Sequence, residues 1–314
     1  MREVSLRKGL VSIIIVTRNS AATLRACLAS IHSQSYPSYE IILVDNGSMD
    51  DTLSLVNPQT VMLITNSNNL GFAKANNQAL EIAGGEFVLF LNSDATIEPG
   101  YLSLLIPHLN ADSRLGAAAG KLLRSPVDNP PVIDSAGLVM EHWRLLPRDR
   151  GEGDIDRGQY DRMTYVFGVP GACALYRQSA LHTIALGQEV MDEDFFAYYE
   201  DVDLAWRVRQ RNMLTLYVPQ AVAYHHKKGP KGKDLHVQIK AFTNRYWCYL
   251  KNERVFHFLS YAIPAIPYEF LRVIKTLALH PGWIPAYAGE LRLLAKMLKK
   301  RKAIRRNTEA KIKA

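Results

Sequence analysis

Apolar residues in the first part of the chain fall into short, nearly continuous runs, each ending in a polar cluster, and the runs alternate with stretches of helical period. The run VSIIIV at 11–16 is β-branched and almost uninterrupted, the pattern of a strand buried on both faces of a parallel sheet. Helical spacing follows over 21–34 and stops at Tyr36 and Pro37. A second strand is predicted at 41–44, closed by Asp45, Asn46, Gly47 and Ser48, and a third at 61–65. A helix over 71–83 is stopped by Gly84 and Gly85, and a fourth strand at 87–91 ends in Asn92, Ser93 and Asp94. Strands alternating with helices predict an α/β fold with a doubly wound, mostly parallel sheet. Residues 124–164 are rich in Pro, Gly, Asp and Arg and read as long loops over the sheet. Beyond them come a strand at 172–176, a short helix at 201–211 and a strand at 214–218 leading to Tyr224, His225 and His226. From about 235 onward the period is helical.

A length of 314 residues suits one large α/β domain with a helical appendage. Cys27, Cys173 and Cys248 are widely spaced and odd in number, so neither a disulfide framework nor a zinc spacing is expected, and a reducing compartment is the simpler reading. The net charge of +8 is uneven: from Glu290 to the end there are ten Lys or Arg against two acidic residues, and residues 1–289 are neutral. A basic folded face for nucleic acid is therefore not expected. No signal peptide is predicted, because the apolar run at 11–16 is short and lacks a small-residue cleavage site. No membrane span is predicted either, because the longest uncharged apolar stretch, 255–268, contains two prolines and falls short of the roughly 20 residues a span needs.

Ligands of open α/β sheets sit at the carboxyl ends of the strands, and here that edge is polar: Thr17, Arg18 and Asn19; Asp45 to Ser48; Asn92 to Asp94. No strand is followed by G-x-G-x-x-G or G-x-x-x-x-G-K-[ST], which removes the main marks of dinucleotide and P-loop enzymes. Asp94 with diphosphate oxygens suits a hard divalent ion, Mg²⁺ or Mn²⁺; the same residue types also favour a strand-ending turn. Asp45 fits either a nucleoside contact or a turn. Glu200, Asp201 and Asp203 follow an aromatic run. They suit a general base near apolar walls, or a helix start favoured by its dipole with an Asp203–Arg207 pair along it. Only one of His225 and His226 can face a site at the strand end, and a lone histidine beside Lys227 and Lys228 also reads as a surface residue.

Taken together, these segments resemble family 2 of the inverting glycosyltransferases, whose nucleotide-sugar domain has the GT-A fold. The resemblance covers about residues 10–229. It rests on VSIIIVTRN at 11–19, LVDNGS at 43–48, NLGFAKANN at 69–77, FLNSD at 90–94, GACALYR at 171–177 and YEDVDL at 199–204. The subgroup it most resembles is that of bacterial rhamnosyl- and galactofuranosyl-type enzymes of cell-surface polysaccharide assembly. The resemblance implies that Thr17 and Asp45, with Asn19, Asn69, Lys74 and Asn92, hold the donor nucleotide. It implies Asp94 as the last acid of the D-x-D metal motif, in which Asn92 replaces the first acid. It implies His225 as a metal ligand found in some members and Asp201 as the catalytic base. The Q-x-x-R-W motif of processive members is missing after Asp203, so a single addition is expected.

The expectation is thus a GT-A catalytic domain over 1–234 and a basic helical segment over 235–314. The enzyme would move a rhamnose-like or other hexose from a nucleoside-diphosphate donor to a saccharide hydroxyl, with a polyprenyl-diphosphate-linked acceptor. The rivals are a sugar-nucleotide pyrophosphorylase, whose Gly- and Arg-rich phosphate loop is missing after the first strand, and an inactive scaffold of the same fold. Leu291, Leu293, Leu294, Met297 and Leu298 lie among Arg292, Lys296, Lys299, Lys300, Arg301 and Lys302. On a helix this gives an apolar stripe with basic flanks, predicting a peripheral anchor on an anionic membrane surface at the cytoplasmic face of the cell membrane. The alternative is a helix packed on the catalytic domain with a solvated tail.

Overall fold

The structure is a computed structural model describing residues 6–226 and 235–312, with side chains described as far as 306. Lys227, Lys228 and Gly229, and the 234/235 boundary itself, lie outside or at the edge of the described residues. The strands in chain order are β1 (Arg7–Thr17), β2 (Tyr39–Asp45), β3 (Met62–Thr65), β4 (Gly85–Leu91), β5 (Ala95–Ile97), β6 (Leu115–Leu123), β7 (Ile133–Ser135), β8 (Leu138–Glu141), β9 (Leu146–Asp149), β10 (Thr164–Tyr165), β11 (Cys173–Arg177) and β12 (Leu214–His225). The helices are α1 (Ala21–His32), α2 (Phe72–Leu80), α3 (Tyr101–Ala111), α4 (Gln178–Ile184), α5 (Glu200–Gln210), α6 (Leu235–Asn252), α7 (Val255–Leu279), α8 (Ile284–Glu290) and α9 (Leu294–Ile312).

The main path of the sheet runs β10-β12-β6-β11-β4-β1-β2-β3. The β1–β2, β1–β4, β2–β3 and β12–β6 pairs are parallel, and β11 enters antiparallel between β4 and β6. The segment predicted as loops over 124–164 carries β7, which joins β6, and a separate β8–β9 hairpin. In register, Thr17 stands beside Asp45 and Asp45 beside Thr65, so the polar strand ends line one edge.

Burial of apolar faces explains the layering. Leu24, Cys27 and Ile31 of α1 and Leu102, Leu105 and Leu109 of α3 pack on one face of the sheet. Ala75 and Ala79 of α2, Leu181 of α4, and Leu204 and Val208 of α5 pack on the other. A third core joins α6 and α9 to α5 through Trp206, Trp247, Tyr249, Leu293 and Met297. Beneath it, Lys251 lies 2.6 Å from Asp192 and 2.7 Å from Asp203, and Asp203 also pairs with Arg207 at 2.7 Å, all fully or nearly fully buried. Asp203 thus makes the pair with Arg207 along α5 that the sequence suggests, and its contact with Lys251 also ties α5 to α6.

This packing corrects the expectation for the basic tail. Leu293 and Met297 are core residues, not part of a free stripe. Lys300 is bound to Glu189, Asp192 and Asp194, and Lys296 to Asp194. The start of α9 is docked on the catalytic layer, and only Leu291, Leu294 and Leu298 of the proposed stripe are exposed.

Candidate active site

Chain reversal after β4 creates the site. The Asn92 N–H donates to the Ala172 carbonyl (2.9 Å), the Ala95 N–H returns to the Asn92 carbonyl (3.0 Å), and β5 then pairs with β12 so that Ala95 faces His225. The His226 N–H donates to the Asp94 carbonyl, which locks the two segments together. His225 Nε2 consequently lies 3.4 Å from Asp94 Oδ1 and 3.5 Å from Asn92 Nδ2. On its other side, Nδ1 lies 2.9 Å from Oδ2 of Asp134, a buried residue of β7. With Asp134 accepting from Nδ1–H, Nε2 is left facing Asp94. A metal-ligating histidine is commonly held in just this way, its second nitrogen oriented by a carboxylate. Burial opposes a charge on His225, but Asp134 and Asp94 override it and raise its pKa to about 9.

The opposite wall is the start of α5. Asp201 Oδ2 accepts from the Gly171 N–H (3.0 Å) and Oδ1 from the Val202 N–H (2.8 Å). Gly171 suits this approach, because a Cβ there would come within 3.3 Å of the Asp201 Cβ. Glu200 is buried, and burial together with the Asp201 carboxylate pushes it well above the usual carboxylate range. A carboxyl raised in this way is within the range that general bases use, so Glu200 stands as the second candidate after Asp201.

The segment before α5 is strained. Phe196, Tyr198 and Tyr199 have φ of 65°, 72° and 71°, a left-handed region that costs non-glycine residues on the order of 1–3 kcal/mol each. Two elements hold it. Buried Asn244 of α6 donates from Nδ2 to the carbonyls of Phe195 (2.8 Å), Ala197 (2.9 Å) and Tyr198 (2.9 Å). From α2, the N–H groups of Phe72 and Ala73 reach the Phe196 carbonyl. Gly71 (φ 88°) permits this, since a Cβ there would sit 2.6 Å from the Phe196 ring.

Asn92, Asp94, His225 and Asp201 thus line one cavity of about 530 Å³, together with Arg18, Asp134, Asp149 and Glu200. The other expected residues do not line it. Thr17 is buried with no hydrogen-bond partner for Oγ1 among the described residues. Asp45, 2% exposed, accepts from the N–H and hydroxyl of Ser48, and Asn19 Oδ1 accepts from the Met49 N–H. Asn69 Oδ1 bonds Asn46 and the Gly71 N–H, and half-exposed Lys74 stands 3.9 Å from Glu193. These five form a neighbouring rim at the ends of β1, β2 and β3 and the start of α2. Asp134 and Asn244 were not foreseen; neither belongs to a recognisable sequence block.

The Glycosyl transferase family 2 model matches residues 12–185. An N-acetylglucosaminyl-diphospho-decaprenol L-rhamnosyltransferase of Mycobacterium tuberculosis is 28% identical over 243 residues, covering 71% of this chain and 78% of that protein. An N-acetylglucosaminyltransferase of Neorhizobium galegae is 31% identical over 64% of this chain and 46% of its own length. Among solved structures, Staphylococcus aureus TarS 1–349 aligns with a TM-score of 0.57 at 18% identity, over 95% of this chain and 88% of that one. GalNAc-T7, solved with UDP, GalNAc and Mn²⁺, aligns with a TM-score of 0.61 at 14% identity, over 77% and 48%. The fold is that of the GT-A glycosyltransferases.

Proposed function

Because this chain belongs to glycosyl transferase family 2, we propose that it moves one rhamnose-like or other hexose from a nucleoside-diphosphate donor to a hydroxyl of a polyprenyl-diphosphate-linked saccharide, inverting the anomeric carbon, in cell-surface polysaccharide assembly. The observation that carries this is the meeting of Asp201 with the Asp94–His225–Asp134 group in one cavity. Oxygen and imidazole donors within an acidic lining fit Mg²⁺ or Mn²⁺, with Asp94 and His225 as ligands, Asp134 orienting the ring and Asn92 beside them. Such an ion, when bound, neutralises charge growing on a diphosphate leaving group. Asp201, fixed by Gly171, takes the proton of the attacking acceptor hydroxyl, and Arg18 at the cavity wall faces the anionic donor. Residues 1–234 act as the catalytic unit, and 235–314 as a helical extension whose Asn244 holds the strained segment before the base. The test is nucleoside-diphosphate release from a panel of donors with Mg²⁺ or Mn²⁺. Pyrophosphate release from a nucleoside triphosphate and a sugar phosphate would indicate the pyrophosphorylase instead, and no turnover on any donor the inactive scaffold.

On this reading Thr17, Asn19, Asp45, Asn69 and Lys74 serve the nucleoside. Asp45→Ala raises the donor KM about tenfold or more, the scale of a lost hydrogen bond to a charged group. Steady-state kinetics checks it: an unchanged KM with a lowered Tm would leave Asp45 as a turn residue bound to Ser48.

The membrane contact of the proposal moves from the basic tail to α7. Phe256 and Ile263 are 88% and 87% exposed, and Leu259, Ile266, Phe270 and Ile274 continue the same face. Tyr261, Ala262, Ala265 and Glu269 face inward, so α7 has no exposed acid, while Arg254 and Lys275 are exposed. Among the described residues no helix is long and apolar enough to cross a membrane. An apolar face of this kind with basic flanks suits a helix lying in an anionic interface on the cytoplasmic side. The full chain floats with anionic liposomes at low salt, and the Phe256→Ser, Ile263→Ser double variant partitions at least about tenfold less. Equal flotation of both, or none of either, rejects this surface.

A further inference from the structure

Outside the catalytic cavity, three metal-ligating side chains from three places in the fold converge. His142 belongs to the 3₁₀ turn His142–Arg144 between β8 and β9, Glu253 to the turn joining α6 to α7, and His257 to the first turn of α7. One donor atom from each lies within 4.8 Å of the others. His257 Nδ1 is 3.0 Å from Glu253 Oε1, and His142 Nδ1 is 3.7 Å from Glu253 Oε2. Four-coordinate zinc with bonds of about 2.0–2.1 Å sets its ligands roughly 3.4 Å apart, and the two histidines approach the Glu253 carboxylate near that distance, each at a different oxygen. His142 Nδ1 is buried and makes no hydrogen bond among the described residues, with Glu253 Oε2 facing it at 3.7 Å. The Tyr261 hydroxyl donates to Glu253 Oε2, the kind of outer partner that orients a ligating carboxylate. The His257 side chain is half exposed and leaves a path for entry.

We propose that His142, Glu253 and His257 form a second metal site, of the two-histidine, one-carboxylate class that takes Zn²⁺, with water in the fourth position. Its imidazole donors favour zinc or cobalt over magnesium, which separates it from the oxygen-rich chemistry expected of the sugar-nucleotide cavity. Bound there, an ion ties the separate β8–β9 hairpin to the start of α7 and holds the helix that carries the exposed apolar face. The inference does not depend on the transferase reading.

The test uses the full chain, stripped with chelator and then titrated with Zn²⁺ alone and Co²⁺ alone, for the wild type, His257→Gln and His142→Gln. Competition against a chromophoric chelator gives equivalents and affinity. Cobalt absorbance gives the geometry, and circular dichroism verifies the fold of each variant. The wild type takes one equivalent of zinc more than either variant, gains several degrees in Tm, and shows an intense four-coordinate cobalt spectrum that both variants lose. Loss of one ligand weakens binding at this site at least about tenfold, the lower end of what an outer-shell partner alone contributes. Equal equivalents and affinity in all three proteins would overturn the site and leave Glu253 as an ion-pair partner of the two rings. A failed donor panel with this result intact would bear on the transferase reading alone.

Discussion

Asp201→Asn leaves donor affinity nearly unchanged and lowers the transfer rate by about 10²–10⁴-fold, the range of a lost general base. Asparagine has the same shape, and its carbonyl oxygen can still accept the Gly171 or Val202 N–H that holds the native carboxylate. What it cannot do is take a proton from the acceptor hydroxyl. The deficit therefore falls on the transition state, so kcat and kcat/KM fall together while calorimetric donor binding stays within about twofold. Glu200→Gln tests the neighbouring carboxyl, which burial and the Asp201 charge raise: loss of transfer there with Asp201→Asn still active would move the base to Glu200. A donor affinity that fell as steeply as turnover would give Asp201 a structural role.

Removal of divalent ions stops transfer by at least about 10²-fold, the rate equivalent of the several kcal/mol a metal contributes to leaving-group stabilisation. Asp94→Ala has the same effect with Mg²⁺ or Mn²⁺ present. Among the described residues lining the cavity Arg18 is the one Lys or Arg, and one exposed guanidinium does not neutralise a departing diphosphate. Full activity in chelator, or in Asp94→Ala, contradicts the assignment of Asp94 and His225.

Much of the sheet was legible because β1, β2 and β4 are β-branched or aromatic runs with polar ends, and these ends form the rim of the site. Asp94, Asp201 and His225 were named through the resemblance to family 2; read alone, their segments fit a strand-ending turn, a helix start and a surface histidine equally well. β6 was not legible. Its sequence, LGAAAGKLL, lacks β-branched residues, yet every position is buried. Small side chains are required there by close packing, since a Cβ on Gly120 would lie 1.8 Å from the Ala221 carbonyl oxygen. Asp134 is an isolated acid in a loop-like stretch, and only the pairing of β7 with β6 carries it to His225. Asn244 reads as an ordinary polar residue on a helix until its contact with the strained segment is seen. The tail misled because basic residues at helical spacing look solvated, whereas Lys300 reaches back to Asp192 and Asp194. The apolar period of α7 was visible, but which of its faces packs was not.

The most direct test of the central claim is a single-turnover transfer to a polyprenyl-diphosphate-linked saccharide, using the donor that releases nucleoside diphosphate fastest, with the product linkage determined by NMR. The account predicts one sugar added per acceptor, with the anomeric configuration opposite to that of the donor, and no product from Asp201→Asn on the same timescale. A product that retains the donor configuration, or one formed equally well by Asp201→Asn, would contradict it.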